Sequence, residues 1–320
     1  MSGSSVTVDG FVMRFGERTI IDGLSFEIAP GETFGLLGSN GSGKTTTIRA
    51  LLGIVEPSEG RLLIDGGRYR ASAGGQVGYL PEERGLYRKE SVLDVMTYFA
   101  RLKGMSSRAA VAWTMSYLER VDLADKARLR VDRLSGGQQQ KVQLGLTMMD
   151  DPRLLILDEP TKGLDPVNRR LLLDLVDERK ADGATVILVT HQMDEVERLC
   201  DRILLLRDGV AAAYGSIPDV QDAFGGAVAK VLCHGTIPAS PLYRLARQEG
   251  NVAYLVPTSA AAPDGADIVH ALIQSGVAVS GFEMRRVPLD EIFVQVYGQD
   301  PNAEAGLAPA SSVAVSGEAR

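Results

Sequence analysis

The sequence predicts an α/β fold with a parallel-sheet core wrapped around a phosphate loop. Three observations carry this. Gly38-Ser39-Asn40-Gly41-Ser42-Gly43-Lys44-Thr45 fits the pattern G-x-x-x-x-G-K-[ST] in full. Arg153-Leu154-Leu155-Ile156-Leu157 is a short apolar run that ends in Asp158-Glu159, as a strand buried on both faces would. Between them, Leu134-Ser135-Gly136-Gly137-Gln138 is a second polar, glycine-rich turn at the head of a helix expected from Gln138 to about Met149.

The flanks of the first loop agree with its motif. Thr33-Phe34-Gly35-Leu36-Leu37 reads as a strand, and Ile48, Leu51 and Leu52 follow at helical spacing before Gly53 and Pro57 stop the helix. Glycines let the backbone N–H groups turn inward on phosphates, and the helix start adds a positive dipole end. Lys44 is placed to bridge β- and γ-phosphates, and the Thr45 hydroxyl to bind Mg²⁺. Asp158, at the C-terminal end of its strand, can hold the metal's hydration shell. Glu159 is then placed to orient the attacking water or accept its proton.

With Leu134 to Gln138 lying between the phosphate loop and Asp158-Glu159, the chain resembles the nucleotide-binding subunit of an ATP-binding-cassette (ABC) transporter, over roughly residues 5–215. The resemblance implies a P-loop NTPase cassette with a parallel-sheet core, an antiparallel β subdomain and a helical subdomain over about 85–150. Its implied cofactors are ATP and Mg²⁺. The implied nucleotide contacts are Phe15, stacking on adenine, and Gly38, Ser39, Asn40, Gly41, Ser42, Gly43, Lys44, Thr45 and Thr46. Ser135, Gly136, Gly137 and Gln138 would reach the nucleotide of a second cassette, identical or paralogous. Catalysis falls to Glu159, His191 and Lys44, the metal to Thr45, Asp158 and Glu82, and coupling across the dimer to Asp165. His191 directly follows the apolar run Thr185-Val186-Ile187-Leu188-Val189-Thr190. Members of the family usually carry glutamine where Glu82 stands, after the expected strand Val77-Gly78-Tyr79-Leu80; Gln76 precedes that strand. Glu82-Glu83-Arg84-Gly85-Leu86-Tyr87 resembles one branch of prokaryotic exporters.

Composition narrows the function classes. With 320 residues and 45% hydrophobic content, the chain can bury one large domain and a smaller one. A net charge of −7 argues against a nucleic-acid surface. Cys200 and Cys233 suit a reducing compartment and form no metal motif. No apolar run reaches the roughly 18–20 residues of a membrane span, and the N-terminus lacks a signal-peptide core. The expectation is a cytoplasmic subunit, peripheral on the membrane, that powers transport through a separate transmembrane permease, with a lean to export. The alternative is a soluble ABC ATPase with a regulatory or mechanical role. DNA-repair relatives insert coiled coils or zinc sites between the two nucleotide motifs, an interval that has room for neither here. Translation-factor relatives usually carry two cassettes where this sequence shows one.

The remaining elements follow from pattern. Over 108–121, Val111, Met115, Leu118 and Val121 lie near helical spacing and read as the core stripe of a helical subdomain, with Arg108, Glu119 and Arg120 on the other face. Its surface, with residues around 82–100, is where the resemblance puts the permease contact. The domain boundaries expected are 1–216 for the cassette, 217–298 for an accessory α/β domain and 299–320 for a disordered tail. In the accessory domain, 229–232, 252–256 and 277–279 read as strands, and 267–273 and 289–297 as helices. His234 and His270 read as structural or solvated.

Overall fold

A computed structural model describes residues 3–70, 76–83, 85–258 and 265–298. Strands β1 (Val6–Phe15) and β2 (Arg18–Ile28) form an antiparallel hairpin, followed by β3 (Thr33–Leu37), helix α1 (Lys44–Leu51) and β4 (Glu59–Ile64). A three-stranded antiparallel sheet runs β2-β1-β4. Its inner face closes over the main sheet, where Phe26 stacks on Phe34 with ring centroids 5.4 Å apart.

The main sheet contains β5 (Val77–Leu80), β6 (Leu154–Asp158), β7 (Thr185–Val189), β8 (Arg202–Arg207) and β9 (Val210–Ser216), in the order β5-β6-β7-β3-β8-β9. All neighbours pair in parallel except β8 and β9. Every residue of β3, β6 and β7 is buried, which is why those segments read as unbroken apolar runs rather than alternations. The strand ends at Leu37, Asp158 and Val189 therefore open on one edge of the sheet, the usual ligand crevice of such folds.

Helices α2 (Val92–Leu102), α3 (Ser107–Arg120) and α4 (Gly136–Met148) form the helical layer between β5 and β6. Helix α3 corrects the expected stripe. Ala110, Thr114, Tyr117 and Leu118 face the core, Val121 is buried just past the helix end, and Val111 is 44% exposed. The reason is a close helix crossing. A Cβ on Gly145 of α4 would collide with the Tyr117 ring, and the Tyr117 hydroxyl donates to the Lys141 carbonyl at 2.7 Å. Tyr117, which the apolar pattern passed over, sets the face that turns inward. Helices α5 (Pro166–Ala181) and α6 (Met193–Leu199) follow β6 and β7.

Past β9, α7 (Ile217–Ala223) leads into β10 (Ala227–His234), β11 (Tyr243–Glu249), β12 (Val252–Pro257), α8 (Gly265–Gln274), β13 (Ala278–Arg286) and α9 (Leu289–Tyr297). The four strands form an antiparallel sheet ordered β11-β12-β10-β13, and α8 covers one face with Ile268 and Leu272. Two differences from expectation stand out. Strand β11 was not anticipated, and β13 runs on to Arg286 instead of stopping at 279. Helix α9 does not close the accessory sheet alone: Leu289, Ile292 and Val296 join the core of the main domain. His234 and His270 are both exposed. The tail expected at 299–320 lies outside the described residues, as does Arg84.

Candidate nucleotide site

The phosphate loop spans the gap between β3 and α1. Gly43 enters the helix at φ +111, a left-handed angle that favours glycine, and a Cβ there would also have to displace the tip of the Ile21 side chain. No side chain caps α1, and its first turn carries no acid. The Lys44 ammonium donates to the carbonyls of Gly38 at 2.8 Å and Ser39 at 2.9 Å. Burial lowers its pKa, against the pull of Glu159, Asp158 and Glu82. The Ser42 hydroxyl is buried with no hydrogen-bond partner among the described residues. Asn40 and Gly41 are exposed, whereas Ser39, Thr45 and Thr46 are half-buried. Phe15, at the end of β1, is 56% exposed, a large apolar ring left in water.

Facing the lysine are the acids. Burial, reinforced by Glu82 and Glu159, pushes Asp158 up to about 6. Glu159 sits at φ +50, a backbone conformation rare for a side-chain-bearing residue, held by its N–H donating to the Val189 carbonyl at 2.7 Å. Its Oε1 lies 2.7 Å from His191 Nδ1, while Oε2 is buried without a partner among the described residues. Two residues predicted separately, Glu159 and His191, are thus one hydrogen-bonded pair. Glu82 is ion-paired with Lys162 at 2.6 Å, and that bond holds its carboxyl below the usual range. A cleft of about 570 Å³ opens beside Glu82, Glu159 and Lys162.

The second glycine turn is built differently. Ser135 N-caps α4: its hydroxyl accepts the Gln138 N–H at 3.3 Å, and Gln138 Oε1 accepts the Ser135 N–H at 3.0 Å. Ser135 is exposed, and these bonds stay within the helix start. Asp165 N-caps α5, accepting the N–H groups of Val167 and Asn168, both at 3.0 Å. Those bonds, the one to Asn168 first, lower its pKa.

The comparisons agree with this geometry. The sequence profile described as ABC transporter matches residues 21–162. The "Uncharacterized ABC transporter ATP-binding protein YhaQ" of Bacillus subtilis is 36% identical over 293 residues, 92% of this chain and 98% of that one. This chain is an ABC transporter ATP-binding protein. The Nod factor export ATP-binding protein I of Paraburkholderia xenovorans is 41% identical over 219 residues, covering 68% of this chain and 72% of that one. A solved ATP-binding subunit of an ABC transporter matches with a TM-score of 0.63 at 30% identity, covering 69% of this chain and 93% of the other. As an ABC ATPase the chain binds and hydrolyses ATP as a subunit of a transporter. None of its described helices is long and apolar enough to cross a membrane.

Several polar residues of this ABC subunit escaped sequence reasoning. Buried glutamines tie α4 to the segments that follow β6 and β5. Gln140 donates to the Pro160 carbonyl at 2.9 Å and Gln143 to that of Glu83 at 3.3 Å, while Gln139 donates to those of Val131 at 3.2 Å and Leu134 at 3.0 Å. Beyond Pro160, the Thr161 hydroxyl bonds the fully buried Glu195, which also accepts Arg169 at 2.7 Å. One signal was available: Gln138-Gln139-Gln140 opening a helix with no apolar stripe marks amides that need buried partners. Nothing local could have paired Lys162 with Glu82.

Proposed function

We propose that two copies of this subunit, or one copy and a paralogue, close over two ATP molecules and share both active sites. The observation that carries this reading is the start of α4. Its serine cap is exposed, its glycine amides precede the first i→i−4 bond, and its hydrogen bonds stay away from the chain's own phosphate loop. A serine hydroxyl that accepts a bond as a cap still has its proton to donate. Ser135 and the Gly136 and Gly137 amides therefore remain suited to the phosphates of a partner's nucleotide.

Within one site, Lys44 exchanges the carbonyls of Gly38 and Ser39 for phosphate oxygens, and Phe15 supplies a ring for adenine. Glu159 uses its unpartnered Oε2 to orient or deprotonate water, with Oε1 held by His191. The residues fit Mg²⁺: Glu82 and Glu159 add to the cost of ionising the buried Asp158, which a cation relieves, and Thr45 lies in the first turn of the adjacent helix. Thr45, Asp158 and Glu82 would hold it, and bound there it would neutralise charge developing on the phosphates. Glu82 differs from glutamine by carrying its charge, and Lys162 balances that charge. Asp165, as the cap of α5, fixes the loop that would meet the second copy.

The work is transport, in the direction of export, through a separately encoded permease on the cytoplasmic face of the membrane. The export role named for the Nod factor relative supports this direction. An exposed aromatic group supports a docking surface: Tyr87, Tyr98 and Phe99 form a ring cluster 5.5 to 6.0 Å apart beside exposed Leu102. The test is Glu159→Gln, which should bind ATP, lose turnover by about a hundredfold or more and elute as a dimer only with ATP. A monomer at saturating ATP, with the permease absent or present, would sink the shared-site reading.

A further inference from the structure

Helix α9 carries a contact that neither apolar packing nor the transporter reading requires. Its start is fixed by Glu197 of α6, which accepts the Leu289 N–H at 3.2 Å. Its end is fixed by Arg207 of β8, which donates to the Val296 carbonyl at 2.6 Å. The Phe293 and Tyr297 rings lie against each other, tilted by 36° with centroids 4.3 Å apart. The Tyr297 hydroxyl then donates to the carbonyl of Leu206. That carbonyl abuts the phosphate loop: a Cβ on Gly38 would come within 2.6 Å of the Leu206 oxygen. The same phenol is half-buried where α9 meets the end of β8, and burial pushes its pKa up.

A phenol has one proton to give and lone pairs to accept with. The Tyr297 proton thus goes to the end of β8, against Gly38, whose carbonyl takes Lys44. The other side of α9 faces the accessory sheet, where Glu291 pairs with Arg247 of β11 at 3.4 Å and Arg285 of β13 at 3.7 Å. The helix thus links the accessory sheet, through the Leu206 carbonyl, to the start of the phosphate loop at Gly38. Leu289, Ile292 and Val296 already bury it, so the hydroxyl is not needed to anchor it.

We propose that Tyr297 is a positioning residue for the phosphate loop, through which the C-terminal domain sets the affinity of the subunit for ATP. A loop already held in its binding conformation loses less entropy when nucleotide arrives. The proposal rests on Gly38 to Thr45 being the nucleotide loop, and the test separates the two. In the full-length protein, Tyr297→Phe keeps the ring contact with Phe293 and removes only the hydroxyl. Its equilibrium Kd for ATP and its KM should both rise about three- to tenfold. Its kcat should change less than about twofold, and its Tm should stay within about 1 °C of wild type. Lys44→Ala is the reference. If it binds ATP as wild type does, the nucleotide-loop reading fails. If it loses binding while Tyr297→Phe keeps the wild-type Kd, the positioning role is overturned. It is overturned equally if the Tyr297→Phe loss comes with a lowered Tm and a parallel fall in kcat.

Discussion

Two helices in this molecule open on glycine and serine, and they are finished in opposite ways. At α1 no side chain caps the first turn, Gly43 takes a left-handed angle, and Ser42 buries a hydroxyl without a partner among the described residues. At α4 the capping box of Ser135 and Gln138 is complete. The first start leaves its polar groups for a ligand and uses Lys44 to bind its own carbonyls. The second is satisfied within itself and keeps only a hydroxyl proton and two amides to offer. Internal support of that kind is what the proposed half-site would need while its partner is away. Of the two starts, only α1 is left unfinished by the described residues.

Breaking each start should have different consequences. Lys44→Ala should lower ATP affinity by about a hundredfold, because the charge that answers the phosphates is gone. Equilibrium binding of ATP checks this; an unchanged Kd would remove α1 from the site. Ser135→Asp is the sharper probe, since aspartate caps a helix as well as serine does. Its Tm should stay within about 1 °C of wild type, while its negative charge opposes a partner's phosphate and cuts turnover at least about tenfold. Wild-type turnover would leave the α4 start as a helix cap and nothing more. The smallest effect concerns the acids opposite α1. Burial makes folding hold the Asp158 proton more tightly than the unfolded chain does. Stability therefore falls as pH rises from the ordinary carboxylate range through about 6, and is level above that. Asp158→Asn has no such proton to lose. In Mg²⁺-free buffer its Tm should exceed that of wild type by roughly 2–5 °C near pH 8, with the gap closing below about pH 4. An equal Tm across that range would mean the carboxylate is not penalised by its surroundings.

What was legible in the sequence follows from range. The strands β3, β6 and β7 were readable because burial on both faces forces an unbroken apolar run. The loop, the Ser135 turn and Glu159 were readable because their chemistry is local. Strand β11 was not: Arg244, Arg247, Gln248 and Glu249 are exposed on an edge strand, where burial imposes little alternation. Helix α3 misled because an apolar spacing pattern gives no weight to Thr114 or to a tyrosine whose ring fits against a glycine. Pairings such as Lys162 with Glu82, Glu195 with Arg169, or Tyr297 with Leu206 join distant segments, and no local pattern encodes them.

The central claim is that each active site is assembled from both starts, α1 of one chain and α4 of another. Mixing Lys44→Ala and Ser135→Asp chains tests it directly, because each homodimer has two damaged sites while a mixed dimer regains one intact pair. The account predicts ATPase activity in the mixture well above the sum of the two separate variants. A mixture that is no more active than that sum, with the chains shown to exchange, would contradict it.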